Sequence, residues 1–302
     1  MSGLDILRAI QSVHSAWLDA FFGFMTNLHQ VSTYVFVFPL LVWFYDKRFT
    51  RYLISVFLLG YWFNGALKDW FNTARPPDDA VRKLYIETGT GPAFPSGHAM
   101  NPLMFLGALA KQFRTLWFSI LAAAVIFLIG YSRLYAGLHW PLDVVGGWAI
   151  GAVLLSLFWL TRRFWSGDTL SAGPNLLAAV VIPLATLVIW RSSDSWSTPT
   201  ASAGDSWLLA GAYLGFWIGS ILEEELVGFD PRRGGWGVQV TKFVLGIGLV
   251  FAVKEGFKLF LPHTALGDLI RYFSVALMAA LGAPWVFHLV LFSPPMRRSI
   301  AR

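Results

Sequence analysis

The sequence predicts an all-α, polytopic transmembrane helical bundle, and three observations carry that prediction. Of 302 residues, 56% are hydrophobic and 13% charged, with a mean hydropathy of +0.58. A soluble domain carries about 25% charged residues, so the charges here are too few to clothe a water-facing surface. Nine apolar runs of spanning or near-spanning length follow one another along the chain, and basic residues gather in every second connection between them. This composition excludes a soluble dehydrogenase, a disordered regulator and a nucleic-acid partner. The net charge of +6 and pI of 9.6 reflect loop Lys and Arg rather than a nucleic-acid footprint. The chain has no Cys, so disulfides, thiol catalysis and thiolate metal sites are excluded.

The first thirty residues lack the basic region, apolar stretch and small-residue cleavage site of a signal peptide. Ile6–Phe24, interrupted by Arg8, Gln11, His14 and Asp19, reads as an amphipathic helix lying in the membrane interface. The apolar runs are expected at Ser32–Tyr45, Arg51–Phe71, Ser96–Ala110, Thr115–Tyr131, Leu142–Leu160, Leu176–Trp190, Trp207–Leu222, Thr241–Leu261 and Tyr272–Phe292. Residues 1–30 are thus an interfacial helix, 31–163 a core, and 164–302 additional transmembrane helices.

Charge orients the runs. Lys47, Arg48 and Arg51, then Lys111 and Arg114, then Arg162 and Arg163, then Arg232, Arg233 and Lys242, and finally Arg297, Arg298 and Arg302 mark cytoplasmic connections. The alternate connections face outward, including the Ser/Thr-rich Ser192–Ser206 with its two Asp. Two outward connections break the rule, because they hold Arg75, Arg82, Lys83 and Arg133. Cations on that side require a reason.

Chemistry supplies one. Lys68 closes the second run, followed by Arg75-Pro76; Pro95-Ser96-Gly97-His98 opens the third; Ser132-Arg133, His139 and Asp143 lead from the fourth into the fifth. A charge such as Lys68 or Asp143 in an apolar run costs about 2.5–3.5 kcal/mol by insertion scales, so a function is the default reading. Lys68, Arg75 and Arg133 offer fixed positive charge suited to phosphate. Ser96 occupies an N-cap position, with the amides of Gly97 and His98 and the helix dipole facing an anion. His139 and Asp143, four apart, share a face if a helix begins near Pro141. A carboxylate on one ring nitrogen orients the imidazole and leaves the other nucleophilic, and His98 can protonate a leaving oxygen. The chemistry is phosphoryl transfer through a phosphohistidine.

These three motifs resemble the signature of the type 2 phosphatidic acid phosphatase superfamily, with no departure at the matching positions. The resemblance covers roughly Asp19 to Leu160. It implies a phosphatase-like core, with His139 as nucleophile, Asp143 as its orienting partner and His98 as general acid; beyond it the apolar runs add about four C-terminal spans without a catalytic signature. It also implies that Lys68, Arg75, Ser96, Gly97 and Arg133 bind phosphate, and that no metal or other cofactor is needed.

Other residues stay open between two readings. Arg82 and Lys83 recognise a second phosphate or lipid headgroup, or form a solvated loop face. Asp78, Asp79 and Glu87 are solvated rather than metal ligands. Tyr85 and Phe94 line a lipid entrance or sit as interfacial aromatics. His14, His29, His263 and His288 lack partners at telling spacings and read as interface or packing residues. Lys254, Glu255 and Lys258 mark an outer helix end or a polar groove. Gly147 with Gly151, and Gly211 with Gly215 and Gly219, permit close helix contact, against the catalytic bundle or a second subunit.

The expected protein is an integral membrane hydrolase of lipid phosphates or diphosphates. Its partners are a membrane lipid substrate and the bilayer, with a homo-oligomer possible. Polyprenyl diphosphates such as undecaprenyl diphosphate and phosphatidate-like lipids come first, and a long-chain-base phosphate next. A phosphotransferase or lipid translocator would use the same headgroup site. The active site is expected on the extracytoplasmic side of the plasma, or inner, membrane.

Overall fold

The computed structural model describes residues 2–89, 91–162 and 201–292, together with isolated positions between 173 and 185. Most of the expected span Leu176–Trp190, residues 192–200 of the Ser/Thr-rich loop, Arg163, Arg297, Arg298 and Arg302 lie outside them. Among the described residues every regular element is helical. Four helices are long and apolar enough to cross a membrane: Leu116–Tyr135, Pro141–Leu160, Trp236–Phe260 and Ala265–Leu291. The protein is therefore a multi-pass membrane protein.

The chain forms two compact units: of the continuous described stretches, the first holds residues 2–34, 52–162 (without 90) and 201–206, the second 35–51 and 207–292. The first unit begins with α1 (Gly3–Gln11) and α2 (Ala16–Asn27). These replace the single interfacial helix expected over Ile6–Phe24. Ser15 ends any continuity by accepting the Leu18 N–H as an N-cap, and Ser2 with Asp5 forms a capping box on α1. The helices α3 (Val31–Phe44) and α4 (Lys47–Phe71) contribute to both units. A long loop with a short 3-10 turn at Ile86–Thr88 leads to α5 (Gly97–Phe113), α6 (Leu116–Tyr135) and α7 (Pro141–Leu160). Helix α5 packs against both α6 and α7, and α2 packs on α6.

Two glycines set the α5–α7 distance directly beneath the site. A Cβ on Gly147 would stand 2.6 Å from the Ser96 carbonyl oxygen, and one on Gly151 would stand 3.0 Å from that of Met100. Helix α6 runs through Tyr135, so Ser132 and Arg133 belong to its last turn rather than to a loop. A cation there meets the negative end of the helix dipole. Pro141 stands at the start of α7, where its missing N–H costs nothing.

The second unit contains α8 (Ala201–Leu226) from Trp207 onward, α9 (Trp236–Phe260), α10 (Ala265–Leu277) and α11 (Ala283–Leu291), the last two joined through a π turn at Met278–Gly282. Helix α8 starts inside the connection expected to end at Ser206. Its Gly211, Gly215 and Gly219 meet Leu269, Phe273 and Leu277 with Ala280. The stripe thus serves packing within this unit, where the sequence offered the catalytic bundle or a second subunit. Buried Trp43, Val250, Ala283 and Phe287 form the core, and Trp43 Nε1–H donates to the Ala279 carbonyl at 2.8 Å.

Candidate active site

The first unit brings the three motifs together through backbone bonds. Ser96 N–H donates to the Asp143 carbonyl at 3.0 Å, and Ala93 N–H to that of Thr73 at 2.9 Å. Trp140 Nε1–H donates to the Ala74 carbonyl at 3.0 Å. The loop after α4, the start of α5 and the start of α7 are therefore one assembly.

His139 sits at its centre, buried between α6 and α7. Its Nε2 is 3.2 Å from Arg75 Nη1, a donor-only group, so Nε2 accepts and the ring proton is assigned to Nδ1. Nδ1 faces Asp143 Oδ2 at 3.4 Å. Nδ1 makes no hydrogen bond among the described residues; the carboxylate oxygen it faces accepts the Trp140 N–H at 2.8 Å, which fixes it at the first turn of α7. Burial, and then the charges of Lys68, Arg75 and Arg133, hold the His139 imidazole well below its ordinary pKa. It is neutral at neutral pH, with the lone pair on the nitrogen facing Arg75.

The cations converge as expected, and backbone oxygens accept from all three. Lys68 Nζ donates to the carbonyls of Pro92 at 2.6 Å and Ala93 at 3.3 Å. Arg75 donates from Nε to Gly91 at 2.8 Å and from Nη1 to Leu138 at 2.6 Å. Arg133, fully buried, donates to Thr26 Oγ1 at 2.6 Å, Thr88 Oγ1 at 2.8 Å and the Thr88 carbonyl at 3.0 Å. One short segment, Thr88 to Ala93, thus orients all three.

Ser96 is the N-cap residue of α5, as expected, but its side chain makes no capping bond. Its buried Oγ has no hydrogen-bond partner among the described residues. The first amides of α5 have no acceptor within the helix, so hydroxyl and helix terminus together present donors to an anion. Asn64 supports this turn by donating to the Pro95 carbonyl at 3.3 Å, and its Oδ1 lies where a Cβ on Gly97 would stand, 2.9 Å away. His98 lies on the first turn of α5, within electrostatic reach of Lys68, Arg133 and His139, and its Nε2 is buried without a partner among the described residues. The arrangement can bind a phosphate, attack it from nitrogen and protonate what leaves.

A family model described as the PAP2 superfamily matches residues 48–167, and one described as a PAP2 superfamily phosphatase transmembrane extension matches 207–294. Phosphatidylglycerophosphatase B of Bacillus subtilis is 30% identical over 177 residues, 53% of this chain and 81% of that protein. The chain belongs to the PAP2 superfamily.

Other PAP2 relatives align over different extents. Mouse sphingosine-1-phosphate phosphatase 2 is 29% identical over 255 residues, 78% of this chain and 71% of that protein. Lipid phosphate phosphatase delta of Arabidopsis thaliana is 27% identical over 191 residues, 58% of this chain but 46% of that protein. No solved structure matches the chain significantly. This PAP2 protein is a membrane enzyme of the lipid phosphate hydrolase class.

Residues left open by the sequence now have places. Arg82 pairs with Asp19 at 2.6 Å, and Lys83 with Asp78 at 2.6 Å. Tyr85 Oη–H donates to the Asp19 carbonyl at 2.7 Å, tying the loop to α2, while Phe94 packs edge-on against Phe71. Glu255 pairs with Lys254 and Lys258. Among the described residues no group of His, Asp and Glu gathers to hold a metal. Asn64, Thr26, Thr88 and His29 were missed. Asn64 had a signal, since it precedes Lys68 by four residues on one helix face.

Proposed function

We propose that this protein hydrolyses a long-chain lipid phosphate at the extracytoplasmic face through a phosphohistidine on His139. The observation that carries the proposal is the His139 ring itself, with Nε2 toward Arg75 and Nδ1 toward Asp143. Lys68, Arg75, Arg133, Ser96 and the first amides of α5 bind the phosphate oxygens. The Nε2 lone pair attacks phosphorus and the bond from phosphorus to the lipid oxygen breaks. His98 gives its proton to that oxygen, so the lipid leaves as an alcohol. Water then attacks phosphorus, its proton passing to His98, and the phosphorus–nitrogen bond breaks, so His139 departs neutral and inorganic phosphate is released. Asp143 stabilises the charged imidazole while the covalent bond exists.

For the lipid, the reading favours a long-chain-base phosphate. An alignment of 255 residues with a sphingosine-1-phosphate phosphatase runs well beyond 48–167 and so into the transmembrane extension. The bacterial phosphatidylglycerophosphatase aligns over a shorter 177 residues. Phosphatidate-like lipids and polyprenyl diphosphates follow. Sidedness rests on the charge pattern of the loops and is tested by introducing Ser197→Cys into this Cys-free chain; labelling by impermeant reagent from the cytoplasmic side alone would reverse it.

The test of activity is phosphate release by purified protein in EDTA, run beside His139→Ala. The panel is sphingosine phosphate, phosphatidic acid, phosphatidylglycerol phosphate, undecaprenyl diphosphate and glucose 6-phosphate. The highest kcat/KM is expected on sphingosine phosphate, abolished in His139→Ala. A higher value on another lipid reassigns the substrate, and release that survives His139→Ala overturns the mechanism.

A further inference from the structure

His29 lies in the turn between α2 and α3, outside all three motifs, yet it is buried against the candidate general acid. Its ring meets that of His98 edge to face, with centroids 4.7 Å apart and planes at 79°. Two bonds lock the His29 ring. Nδ1 is 2.8 Å from Tyr34 Oη, and Nε2 is 3.3 Å from Asn101 Nδ2. The amide nitrogen is a donor, so Nε2 accepts and Nδ1 carries the proton toward Tyr34. His29 is therefore held neutral, in one tautomer and one orientation.

Both anchors are themselves fixed. Tyr34 packs on Phe57 of α4, with centroids 4.1 Å apart, and edge-on against Phe105 of α5 at 5.5 Å. Asn101 is buried on α5, three residues after His98 and so on the same helix face. His98 Nε2 has no hydrogen-bond partner of its own among the described residues. An imidazole without such a bond depends on packing for its rotamer, and the His29 ring is a wall beside it.

We propose that His29 is a positioning residue, which holds the His98 ring where it can deliver a proton to the leaving oxygen. This rests on the reading of His98 as the general acid. General acid catalysis matters when the leaving group is a strongly basic alkoxide and matters little when it is a weakly basic phenolate. A residue that positions the acid must show the same dependence; a residue that merely supports the fold must not.

The experiment compares kcat/KM on two phosphates of equal chain length, dodecyl phosphate and a dodecyl-substituted nitrophenyl phosphate. The ratio kcat/KM reports steps up to departure of the leaving group, so slow breakdown of a phosphohistidine does not mask the effect. Both substrates are measured on one preparation, so loss of folded protein cancels. His98→Gln sets the scale, with an expected loss of about 10²-fold on the alkyl ester and much less on the aryl ester. His29→Ala is expected to lose about ten-fold on the alkyl ester and less than about two-fold on the aryl ester. Tyr34→Phe keeps the ring and removes one anchor, and is expected to show the same asymmetry at about three-fold. It carries the test if His29→Ala does not fold. Equal loss on both substrates, or no loss on either, overturns the role of His29. If His98→Gln itself loses equally on both, the general acid assignment fails, which is a separate and recognisable result.

Discussion

The candidate site of the first unit and the buried charges of the second hold cations by different means. In the first, Lys68, Arg75 and Arg133 converge from α4, the following loop and α6, and donate to carbonyl and hydroxyl oxygens. In the second, Lys47 pairs with Glu223 at 2.8 Å, Arg51 with Glu224 at 3.0 Å and Arg271 with Asp268 at 2.7 Å. Lys242 departs from that rule, since it donates to the Pro231 carbonyl and closes the turn before α9. Neutral oxygens orient a cation and leave its charge to act on something else, whereas a carboxylate cancels it. In the function proposed above, the site cations of the first unit are held for an anion, whereas the second unit pairs most of its cations internally.

Breaking that contrast gives the largest effect first. Under the proposed mechanism Arg75→Ala removes donors to the phosphate, and kcat/KM is expected to fall about 10²–10³-fold. Its thermal unfolding in detergent should change little or rise, because a converging positive charge has gone. If instead unfolding moves down sharply while kcat/KM per folded molecule holds, the cations are structural.

The mirror experiment is Glu223→Gln in the second unit. Glu223 accepts from Lys47 and, at 2.6 Å, from the Phe229 N–H. Removing its charge leaves Lys47 without its carboxylate, and breaking a buried pair costs about 3 kcal/mol. The folded fraction should keep kcat/KM within about two-fold. A loss of catalysis comparable to Arg75→Ala would erase the distinction between the units.

A smaller effect is expected at Gly215→Ala, where the new methyl meets the backbone of Phe273. Overpacking of this kind costs about 1–3 kcal/mol, read as a lower unfolding temperature with unchanged oligomeric state. A change in oligomeric state would show that the glycine stripe serves a second copy.

The smallest effect concerns Asp19. The bond from Arg82, and then that from Tyr135, pull its carboxyl down to about 2. A lowered carboxyl stabilises the fold above its unfolded pKa of about 4, and that contribution is lost as pH falls toward 2. The pair is partly exposed, so Asp19→Asn should cost about 1 kcal/mol at neutral pH. Unfolding of the two proteins should converge as pH drops from 4 toward 2, and a gap that stays constant would contradict the pairing.

What the sequence made legible follows from distance along the chain. Lys68 with Arg75, Ser96 to His98, and His139 with Asp143 are each close neighbours in the chain, so the sequence shows each as a local cluster. Arg133 was legible as a cation but not as a helical residue, because the apolar run faded before the helix did. His29 gave no signal, since its partner Asn101 is 72 residues away. Thr26 was equally silent, being 107 residues from Arg133. The glycines of α8 announced a close contact, but the partner is set by tertiary packing against α10.

The central claim is the covalent bond between His139 and phosphorus. Purified protein should be quenched in alkali after brief exposure to a lipid substrate carrying labelled phosphate, with EDTA present. Label that stays on the protein in alkali, is lost in acid and is absent from His139→Ala is the expected result. Turnover without any such label in a rapid quench, or label retained in His139→Ala, would contradict it.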